Sequence, residues 1–475
     1  MNYLYDINYI PVFKQNNNHL VMYLPLYDSF LKFKNGEHVL NDIKNATSNL
    51  DVYNKYVGSG ARNIVLNITN KCNLACSYCW ANSSPNSSLF MEPKTATSIV
   101  QASFKNYKIN RVHFMGGEPT QNFPTIHTVY EFIKNNLKEN PIFYITTNGV
   151  IEKSQLNWLL KNNFVFTVSI DTSNSIHADS RLSANGESFI SETLKTIIEL
   201  VRNKSHFRVR ITVNKRNQDD IIKTVEELGN LGVKFIHIEK MSTDGRAKEY
   251  SKQNDIDNKS FHDIFFDLID ITHKYDMGLM NSSLTNLFNP TDYFCHALKS
   301  KTLNFNSDGS ISHCYKANNN LNKKNKDFIV GEFEEYQEKI NINLPRSNFL
   351  SDINKKLMSN YTNSGFLYFW SGGCAYKSNS TEDENDIKCE ESYHLNKIML
   401  TSAIQSIYEY SLQSLYSPLE GHLWFYEKLS ENGGNFHAND DKLYIRETTE
   451  NNFEIIPLVK KFVGEYQVEA CDICI

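Results

Sequence analysis

Short apolar runs alternate with amphipathic segments from about residue 64 to residue 240. The runs are rich in β-branched and aromatic residues, as buried strands are, and lie near 64–69, 111–115, 142–146, 164–170, 207–213 and 234–239. Between them, apolar residues recur with the helical period at 95–107, 125–137, 190–202 and 221–231. Six βα repeats predict an α/β fold with a parallel sheet and right-handed crossovers. Six such strands form a partial barrel, whose open side admits a large substrate.

Distinctive residues follow four of the predicted strands. Cys72 follows the first strand, Gly116 the second, Asn148 the third and Ser169 the fourth. Active and binding sites of parallel sheets lie at the carboxyl ends of the strands, because the loops that follow the strands meet at that edge. These residues are therefore expected to converge in space.

Three thiols, Cys72, Cys76 and Cys79, lie on one short loop with CxxxCxxC spacing. A four-iron cluster is normally held by four thiolates, so a loop with three leaves one iron open to an outside ligand. A zinc site would more often show two CxxC pairs, and a disulfide framework is not expected in a chain of this size. The spacing therefore favours an iron–sulfur cluster, with zinc or ordinary buried cysteines as the alternatives.

The CxxxCxxC loop, followed by the aromatic Trp80, resembles the signature of radical S-adenosylmethionine (SAM) enzymes. Later segments match that family in the same order, at 116–119 (GGEP), 146–149 (TTNG) and 168–171 (VSID), then at His177, Asp179, Arg181 and Gly186. The resemblance implies a partial (βα)6 barrel and a [4Fe-4S] cluster whose open iron takes the amino and carboxylate groups of SAM. It also implies reductive cleavage of SAM to methionine and a 5′-deoxyadenosyl radical, which abstracts hydrogen from a substrate.

The glycine pair of the second motif is expected to contact SAM. Gly116 and Gly117 have no side chains, so backbone carbonyls can approach the amino group of SAM closely. Glu118 would add an acceptor for the same ammonium. The alternative is a simple Gly-Gly turn.

Four further residues are expected beside SAM. Ser169 would hydrogen-bond the ribose hydroxyls, and Asp171 would orient the ribose or the substrate. The planar fork of Arg181 suits the SAM carboxylate, and Trp80 would cover the cluster and contact the adenine. The respective alternatives are an ordinary strand-end serine, a strand cap, a surface salt bridge and core packing. The motifs do not identify a catalytic acid, base or nucleophile.

A second group of cysteines follows: Cys295, Cys314, Cys374 and Cys389. Cys295 and Cys314 flank a predicted hairpin, in which Asp308-Gly309 supplies the tight turn. The layout resembles the C-terminal SPASM/twitch extension of radical SAM enzymes, which carries auxiliary iron–sulfur clusters. Four cysteines suffice for one fully ligated four-iron cluster.

The second group departs from a full SPASM domain, which has a central CxxC pair shortly before its Gly-Gly-Cys segment. Residues 361–370 contain no cysteine. One auxiliary cluster is therefore expected rather than two. Cys471 and Cys474 could supply a missing pair for a third cluster, form free functional thiols that touch substrate, or be incidental.

The predicted domains are residues 1–60, 61–288 and 289–475. The first has strand-like runs at 19–24 and 30–33 and a helical segment at 37–44. It resembles the winged-helix, leader-recognition domains of peptide-modifying enzymes, where a leader would add a strand to an exposed edge. A capping extension that packs on the barrel is the alternative. The second is the radical SAM core, which ends in a polar, helical connector, and the third is the SPASM/twitch-like domain with a helical tail.

Composition excludes several other classes of protein. The net charge of −5 and the absence of a dominant basic block give no sign of a nucleic-acid or anionic-membrane partner. The first residues lack a signal peptide, and no run of about 18 apolar residues occurs. A cytoplasmic protein is therefore expected. Nine cysteines in a reducing compartment favour metal ligation or redox chemistry over disulfides.

Radical SAM proteins with this extension most often modify ribosomally made peptides or proteins. The resemblance therefore implies a peptide maturase that installs a thioether or carbon–carbon cross-link, or a related modification. The expected partners are a precursor peptide or protein and an electron donor such as flavodoxin or ferredoxin.

Three other functions stay open. A sulfatase-type maturase would form formylglycine, although the extra N-terminal region and the missing cysteine pair count against it. A GTP-converting enzyme of molybdopterin synthesis is a further alternative, although its relatives end in Gly-Gly and this sequence ends in Cys474-Ile475. The last is a non-catalytic iron–sulfur or metal-binding protein that kept the fold.

Overall fold

The structure is a computed structural model that describes residues 2–7, 10–15, 19–24, 29–34, 63–173, 180–284, 286–287, 292–299, 302–318, 323–359, 367–378, 437–439, 442–444 and 453–457, with single residues at 397, 400, 401, 404 and 408. The predicted helix at 37–44 and the residues His177, Asp179, Cys389, Cys471 and Cys474 lie outside these ranges. No helix within them is both long and apolar enough to cross a membrane.

The described strands, in chain order, are β1 (Asn2–Ile7), β2 (Ile10–Lys14), β3 (His19–Leu24), β4 (Ser29–Lys34), β5 (Asn63–Thr69), β6 (Arg111–Gly116), β7 (Ile142–Thr147), β8 (Val165–Ser169), β9 (Phe207–Val213), β10 (Phe235–Lys240), β11 (Gly278–Met280), β12 (Thr302–Asn306), β13 (Ser310–Ser312), β14 (Ile329–Glu334), β15 (Lys339–Ile342), β16 (His437–Asn439), β17 (Lys442–Tyr444) and β18 (Phe453–Pro457). The described α-helices are α1 (Pro93–Asn106), α2 (Phe123–Asn136), α3 (Lys153–Lys161), α4 (Ile190–Arg202), α5 (Ile221–Leu231), α6 (Ala247–Asn254), α7 (Asn258–Lys274), α8 (Lys323–Phe328), α9 (Leu344–Ser359), α10 (Leu367–Trp370) and α11 (Ala375–Ser378).

Strands β5 to β10 lie side by side in chain order, and each pairs with the next in parallel. Helices α1 to α5 fall in the five connections between them. Every residue of β5 is buried, as expected for a parallel strand that is covered on both faces. The predicted α/β fold with its six parallel strands is therefore confirmed. Among the described strands, the sheet runs from β11 to β15 as an open sheet and does not close.

The main core lies between this sheet and its crossover helices. Phe114 on β6 and Phe166 on β8 are fully buried, as are Ile133 of α2 and Leu200 of α4. Burying a side chain of this size stabilises a fold by about 1.5–3 kcal/mol. The carboxyl ends of the strands are therefore held by a well-packed hydrophobic core.

The sheet extends beyond the six predicted strands at both edges. β11 pairs in parallel with β10, and β12 pairs in parallel with β5. Across the β5–β12 pair, Nδ2 of the buried Asn67 donates to Oδ1 of Asn306 at 2.7 Å. Since β12 lies between Cys295 and Cys314, the second cysteine group is joined directly to the first strand of the core.

The hairpin predicted between Cys295 and Cys314 is confirmed. β12 and β13 pair antiparallel, with Asn304 opposite Ser312. Gly309 in the turn has a φ of +83°, in the left-handed region that favours glycine. β14 and β15 continue the antiparallel meander to the edge of the sheet.

A second sheet is built from β1 to β4, and its fifth strand, β18, comes from the far end of the chain. The predicted strands at 19–24 and 30–33 are confirmed as β3 and β4. The hydroxyl of Tyr23 on β3 donates to the carbonyl of Leu287 at 3.0 Å, and its ring centroid lies 5.8 Å from that of Phe369. The sheet therefore packs against the region that carries the second cysteine group.

Candidate active site

One cavity of about 190 Å³ lies at the carboxyl ends of the central strands. This is roughly ten times or more the space that one water molecule requires. The cavity is lined by both described cysteine groups, which are Cys72, Cys76, Cys79, Cys295, Cys314 and Cys374. Its lining also includes most residues predicted to contact SAM, which are Trp80, Gly116, Gly117, Ser169 and Arg181. Residues that are distant in the sequence thus meet in one place.

Cys72 is held by the loop that follows β7. Nδ2 of Asn148 donates to Cys72 Sγ at 3.6 Å and to Asn73 Oδ1 at 2.6 Å, while the N–H of Leu74 donates to the same sulfur at 3.4 Å. Burial raises the pKa of the Cys72 thiol to about 12 and that of Cys76 to about 11. Both thiols are therefore protonated near neutral pH, and metal binding must displace their protons.

Gly116 and Gly117 pack the end of β6 against the start of the cysteine loop. The N–H of Gly117 donates to the carbonyl of Thr69 at 2.8 Å. A Cβ on Gly116 would lie 2.2 Å from the Thr69 carbonyl oxygen, and one on Gly117 would lie 2.3 Å from that of Lys71. This close backbone contact therefore requires glycine at both positions. The requirement is independent of the contact with SAM that was predicted for the same glycines.

The Glu118 carboxylate points into the protein and lies outside the cavity lining. It is fully buried, and it accepts hydrogen bonds from Thr120 N and Oγ1, from Thr147 Oγ1 and from Asn148 N at 2.7–3.2 Å. These donors already occupy the carboxylate that was expected to accept from the SAM ammonium. In this structure Glu118 instead positions Asn148, which contacts Cys72.

A buried chain of polar groups links Arg181 to the cysteine loop. Nη1 of Arg181 donates to the hydroxyl of Tyr78 at 3.0 Å, and that hydroxyl donates to Oδ2 of Asp171. Burial raises the pKa of the Asp171 carboxyl, while the positive charge of Arg181 opposes that rise. Asp171 therefore acts on the cavity through Tyr78, whereas Arg181 and Ser169 line the cavity themselves.

The loop between β10 and α6 also contacts the cysteine loop, through hydrogen bonds from Arg246. Nε of Arg246 donates to the carbonyl of Cys76 at 3.0 Å, Nη2 donates to that of Ser83 at 2.7 Å, and the backbone N–H donates to that of Cys79 at 3.0 Å. Gly245 has a φ of +61°, and a Cβ there would lie 2.3 Å from the Trp80 carbonyl oxygen. The sequence analysis missed both residues, although Asp244-Gly245 is a turn signal before a helix.

The same loop also reaches the second cysteine group. Nζ of Lys316, which is nearly buried, lies 3.1 Å from Ser242 Oγ and 3.4 Å from Asp244 Oδ2. Lys316 follows Cys314 by two positions. One loop therefore makes side-chain contacts beside both groups of cysteines.

Cys374 is brought to the cavity by a tight glycine turn. Gly372 and Gly373 have φ angles of +74° and +81°, a conformation that glycine adopts without a steric penalty. Beside this turn, Nδ2 of Asn286 donates to Ser371 Oγ at 2.9 Å and to the Tyr293 carbonyl at 3.1 Å. The buried Asn286 therefore ties the segment before Cys295 to the segment before Cys374.

The cysteine loop has three thiols, the number expected for a cluster with one open iron. In the described part of the chain, no group of three or more His, Cys, Asp or Glu side chains is gathered closely enough to hold one metal ion. Donors such as the Leu74 N–H also suit a cluster, whose potential depends on hydrogen bonds to its sulfurs.

Comparison with protein families identifies the central sheet. Residues 66–238 match the family model described as the radical SAM superfamily, a range that runs from within β5 to within β10. This part of the chain is a radical SAM domain. Proteins of this superfamily use SAM and a [4Fe-4S] cluster, which are therefore the cofactors of this domain.

The relatives of this chain include a maturase. The Cysteine-type anaerobic sulfatase-maturating enzyme of Clostridium novyi (strain NT) is 29% identical over 269 residues, which are 52% of this chain and 71% of the relative.

Two solved structures show the same fold. Native anSMEcpe with bound AdoMet and Cp18Cys peptide has a TM-score of 0.57 at 16% identity, covering 74% of this chain and 100% of the other. Streptococcus suis SuiB bound to precursor peptide SuiA has a TM-score of 0.51 at 17% identity, covering 74% of this chain and 79% of the other.

Proposed function

We propose that this radical SAM enzyme is a maturase of ribosomally made peptides or proteins. The observation that carries the proposal is the cavity that both described cysteine groups line. A substrate that loses a hydrogen atom and then one electron, as in forming a thioether or carbon–carbon bond, requires an electron acceptor close to the reacting carbon. A second redox centre at the same cavity would meet that requirement.

We assign Cys72, Cys76 and Cys79 to the [4Fe-4S] cluster that binds SAM. When bound and reduced, this cluster supplies the electron that cleaves SAM to methionine and a 5′-deoxyadenosyl radical. Gly116 and Gly117 line the cavity with backbone, and we assign them to the amino group of SAM. Closing such a site to water and to other C–H groups directs the radical to one position.

Three side chains complete the assignment around SAM. Ser169 and Arg181 line the cavity, and we assign them to the ribose hydroxyls and to the SAM carboxylate, respectively. Trp80, which also lines the cavity, would cover the cluster and contact the adenine. Asp171 orients Tyr78 and thereby Arg181.

We assign Cys295, Cys314 and Cys374, together with Cys389, to one auxiliary [4Fe-4S] cluster. The first three line the cavity, and Cys389 lies outside the described residues. A flavodoxin or ferredoxin is the proposed source of the electron for SAM cleavage. Cys471 and Cys474 remain candidates for a third cluster or for functional thiols.

Peptides bound in two structures with the same fold support a peptide substrate. SuiB and anSMEcpe share this fold, and each was solved with a bound peptide. In this chain, we propose that the sheet of β1 to β4 recognises a leader segment as an added strand. Because β18 already pairs with β4, the outer strand β1 is the proposed place of addition.

Sulfatase maturation is the second candidate, because a sulfatase-maturating enzyme is among the relatives. The two functions differ in their products. A cross-linking maturase removes two hydrogens from its peptide and leaves a new bond, whereas a sulfatase maturase converts a Cys or Ser side chain to an aldehyde.

The test is an anaerobic assay of cluster-reconstituted enzyme with SAM and dithionite. Peptides encoded beside the gene and a cysteine-containing sulfatase peptide are supplied separately, and 5′-deoxyadenosine and peptide masses are measured. We expect 5′-deoxyadenosine to form and one of the peptides encoded beside the gene to lose the mass of two hydrogens. Aldehyde formation in the sulfatase peptide alone would move the assignment to sulfatase maturation. SAM cleavage that leaves every peptide unchanged would contradict both.

A further inference from the structure

Arg210 is a partly buried arginine that lines the cavity. It lies on β9 with Arg208 and Thr212 on the same side of the strand, because side chains alternate along a strand. Arg208 is satisfied in part by Thr167, to whose Oγ1 its Nε donates at 2.9 Å. Arg210 and Thr212, by contrast, line the cavity.

Nη1 of Arg210 is buried, and in the described part of the chain it has no hydrogen-bond partner. A buried donor left unpaired costs about 1–3 kcal/mol, and more when it carries charge. Such groups are rare in folded proteins, and each calls for an explanation such as a bound ligand, ion or water. Because Arg210 lines the cavity, a ligand bound there would lie beside this guanidinium.

The acids nearest to this strand are already engaged. Glu239 accepts from the N–H of Ser282 at 2.6 Å and from Nε2 of His237 at 3.0 Å, and the burial that lowers the pKa of His237 to about 4 keeps that ring neutral. Asp171 accepts from the hydroxyl of Tyr78. Among the described residues, neither of these two acids supplies the acceptor that Arg210 Nη1 is missing.

We propose that Arg210 binds a carboxylate of the peptide substrate, an inference that rests on the proposed function. A guanidinium presents paired donors that match a carboxylate in a bidentate contact. The carboxylate would belong to an acidic side chain beside the modified residue or to the C-terminus of the peptide.

SAM also carries a carboxylate, but Arg181 is better placed for it. Arg181 and Arg246 both act on the Cys76 thiol, and Arg181 also acts on Asp171 together with Arg210, whereas His237 is acted on by Arg210. Arg181 thus lies beside the cysteine loop that SAM would approach. Arg210 lies where β8, β9 and β10 meet, with Ser169 and His237 as its paired neighbours.

The test measures binding to reconstituted enzyme by equilibrium dialysis with SAM present. The probes are N-acetylaspartate amide for a side-chain carboxylate, N-acetylglycine for a terminal one, and N-acetylasparagine amide as the neutral match. We expect at least one acidic probe to bind about tenfold more tightly than the neutral probe, the ratio expected of a hydrogen bond to a charged group. The acidic probe that binds identifies the source.

The variants are Arg210→Gln and, as a matched control, Arg216→Gln, an exposed arginine on the loop after β9. Arg210→Gln should abolish the preference for the acidic probe and leave the affinity for SAM within about twofold, and Arg216→Gln should change neither. Equal binding of all probes to the wild type, or a tenfold loss of SAM affinity in Arg210→Gln, would overturn the inference. Wild-type enzyme that cannot bind or cleave SAM would instead contradict the proposed function.

Discussion

The rings of Trp80 and Tyr315 meet edge to face, with centroids 5.6 Å apart and planes at 84°. Trp80 directly follows Cys79, and Tyr315 directly follows Cys314. Both rings line the cavity and pack with Val65 and Met115. The two cysteine groups are therefore coupled through an aromatic contact between the residues next to them.

Substitution of Trp80 and Tyr315 should reveal this contact in the free energy of unfolding. We expect Trp80→Leu and Tyr315→Leu to be non-additive in the free energy of unfolding, with an interaction of about 0.5–1.5 kcal/mol, since edge-to-face pairs contribute that much beyond burial. A double-mutant cycle by denaturant unfolding of the reconstituted protein measures it. Additive effects within error would show that the contact contributes no pairwise energy.

Iron content separates the two cysteine groups. Reconstituted wild type should hold about eight irons, and the triple Cys72/Cys76/Cys79→Ala variant about four, because each four-iron cluster is held by its own thiolates. Anaerobic iron and sulfide quantification checks both values, and the Cys471/Cys474→Ala variant is expected to match wild type. About twelve irons in wild type, falling when the terminal pair is changed, would assign that pair to a third cluster.

Arg246 should hold the cysteine loop through its guanidinium. Arg246→Gln removes the charged donors to the carbonyls of Cys76 and Ser83, and hydrogen bonds from charged groups contribute about 1.5–3 kcal/mol each. We expect faster loss of iron to a chelator, with partial retention in Arg246→Lys. Lys248→Gln, on the exposed face of α6, is the control and should lose iron at the wild-type rate. The assignment fails if all three variants keep iron equally well.

Gly117 should tolerate no side chain, because a Cβ would overlap the Lys71 carbonyl oxygen. Gly117→Ala is expected to destabilise the protein by about 3 kcal/mol, the upper range for overpacking. Gly186→Ala is the matched control, since it has open space at Cβ and a φ of +80°, so only backbone strain of about 1–2 kcal/mol remains. Thermal unfolding ranks the two, and a larger loss in Gly186→Ala would contradict the packing argument.

Glu118 should act as a structural acceptor. Glu118→Gln replaces one carboxylate oxygen with an NH₂ that faces the donors of Thr147 and Asn148, and we expect a loss of about 1–3 kcal/mol in the free energy of unfolding. Glu187→Gln, an exposed acid, should leave stability unchanged. A Glu118→Gln protein as stable as wild type but unable to bind SAM would restore the ammonium role predicted from the sequence.

The sequence predicted the central sheet well because its signals are local. Apolar runs identified all six central strands, and helical periods identified four of the five crossover helices, α3 being the one not predicted. Parallel strands with right-handed crossovers then leave little freedom in their order. The positions of Cys72, Gly116 and Ser169 at one sheet edge follow from that order. The Asp308-Gly309 turn likewise identified its hairpin.

The remaining features could not be predicted, because they depend on the direction in which a side chain points and on pairing between distant segments. The motif containing Glu118 gives the residue type, but only the fold shows that its carboxylate turns inward toward Thr147. A lone arginine such as Arg210 or Arg246 carries no sequence signal, because its partners are backbone groups or a cavity. The pairing of β12 with β5 also joins segments that are distant in the sequence.

The pairing of β18 with β4 sets an order on synthesis. A ribosome releases β1 to β4 before the central sheet, yet their fifth strand emerges only after the central sheet has been made. Domains usually fold as they emerge, from the N-terminus onward. Here the sheet of β1 to β4 begins before the central sheet and is completed after it, so the nascent chain carries an open edge at β4 until β18 has been made.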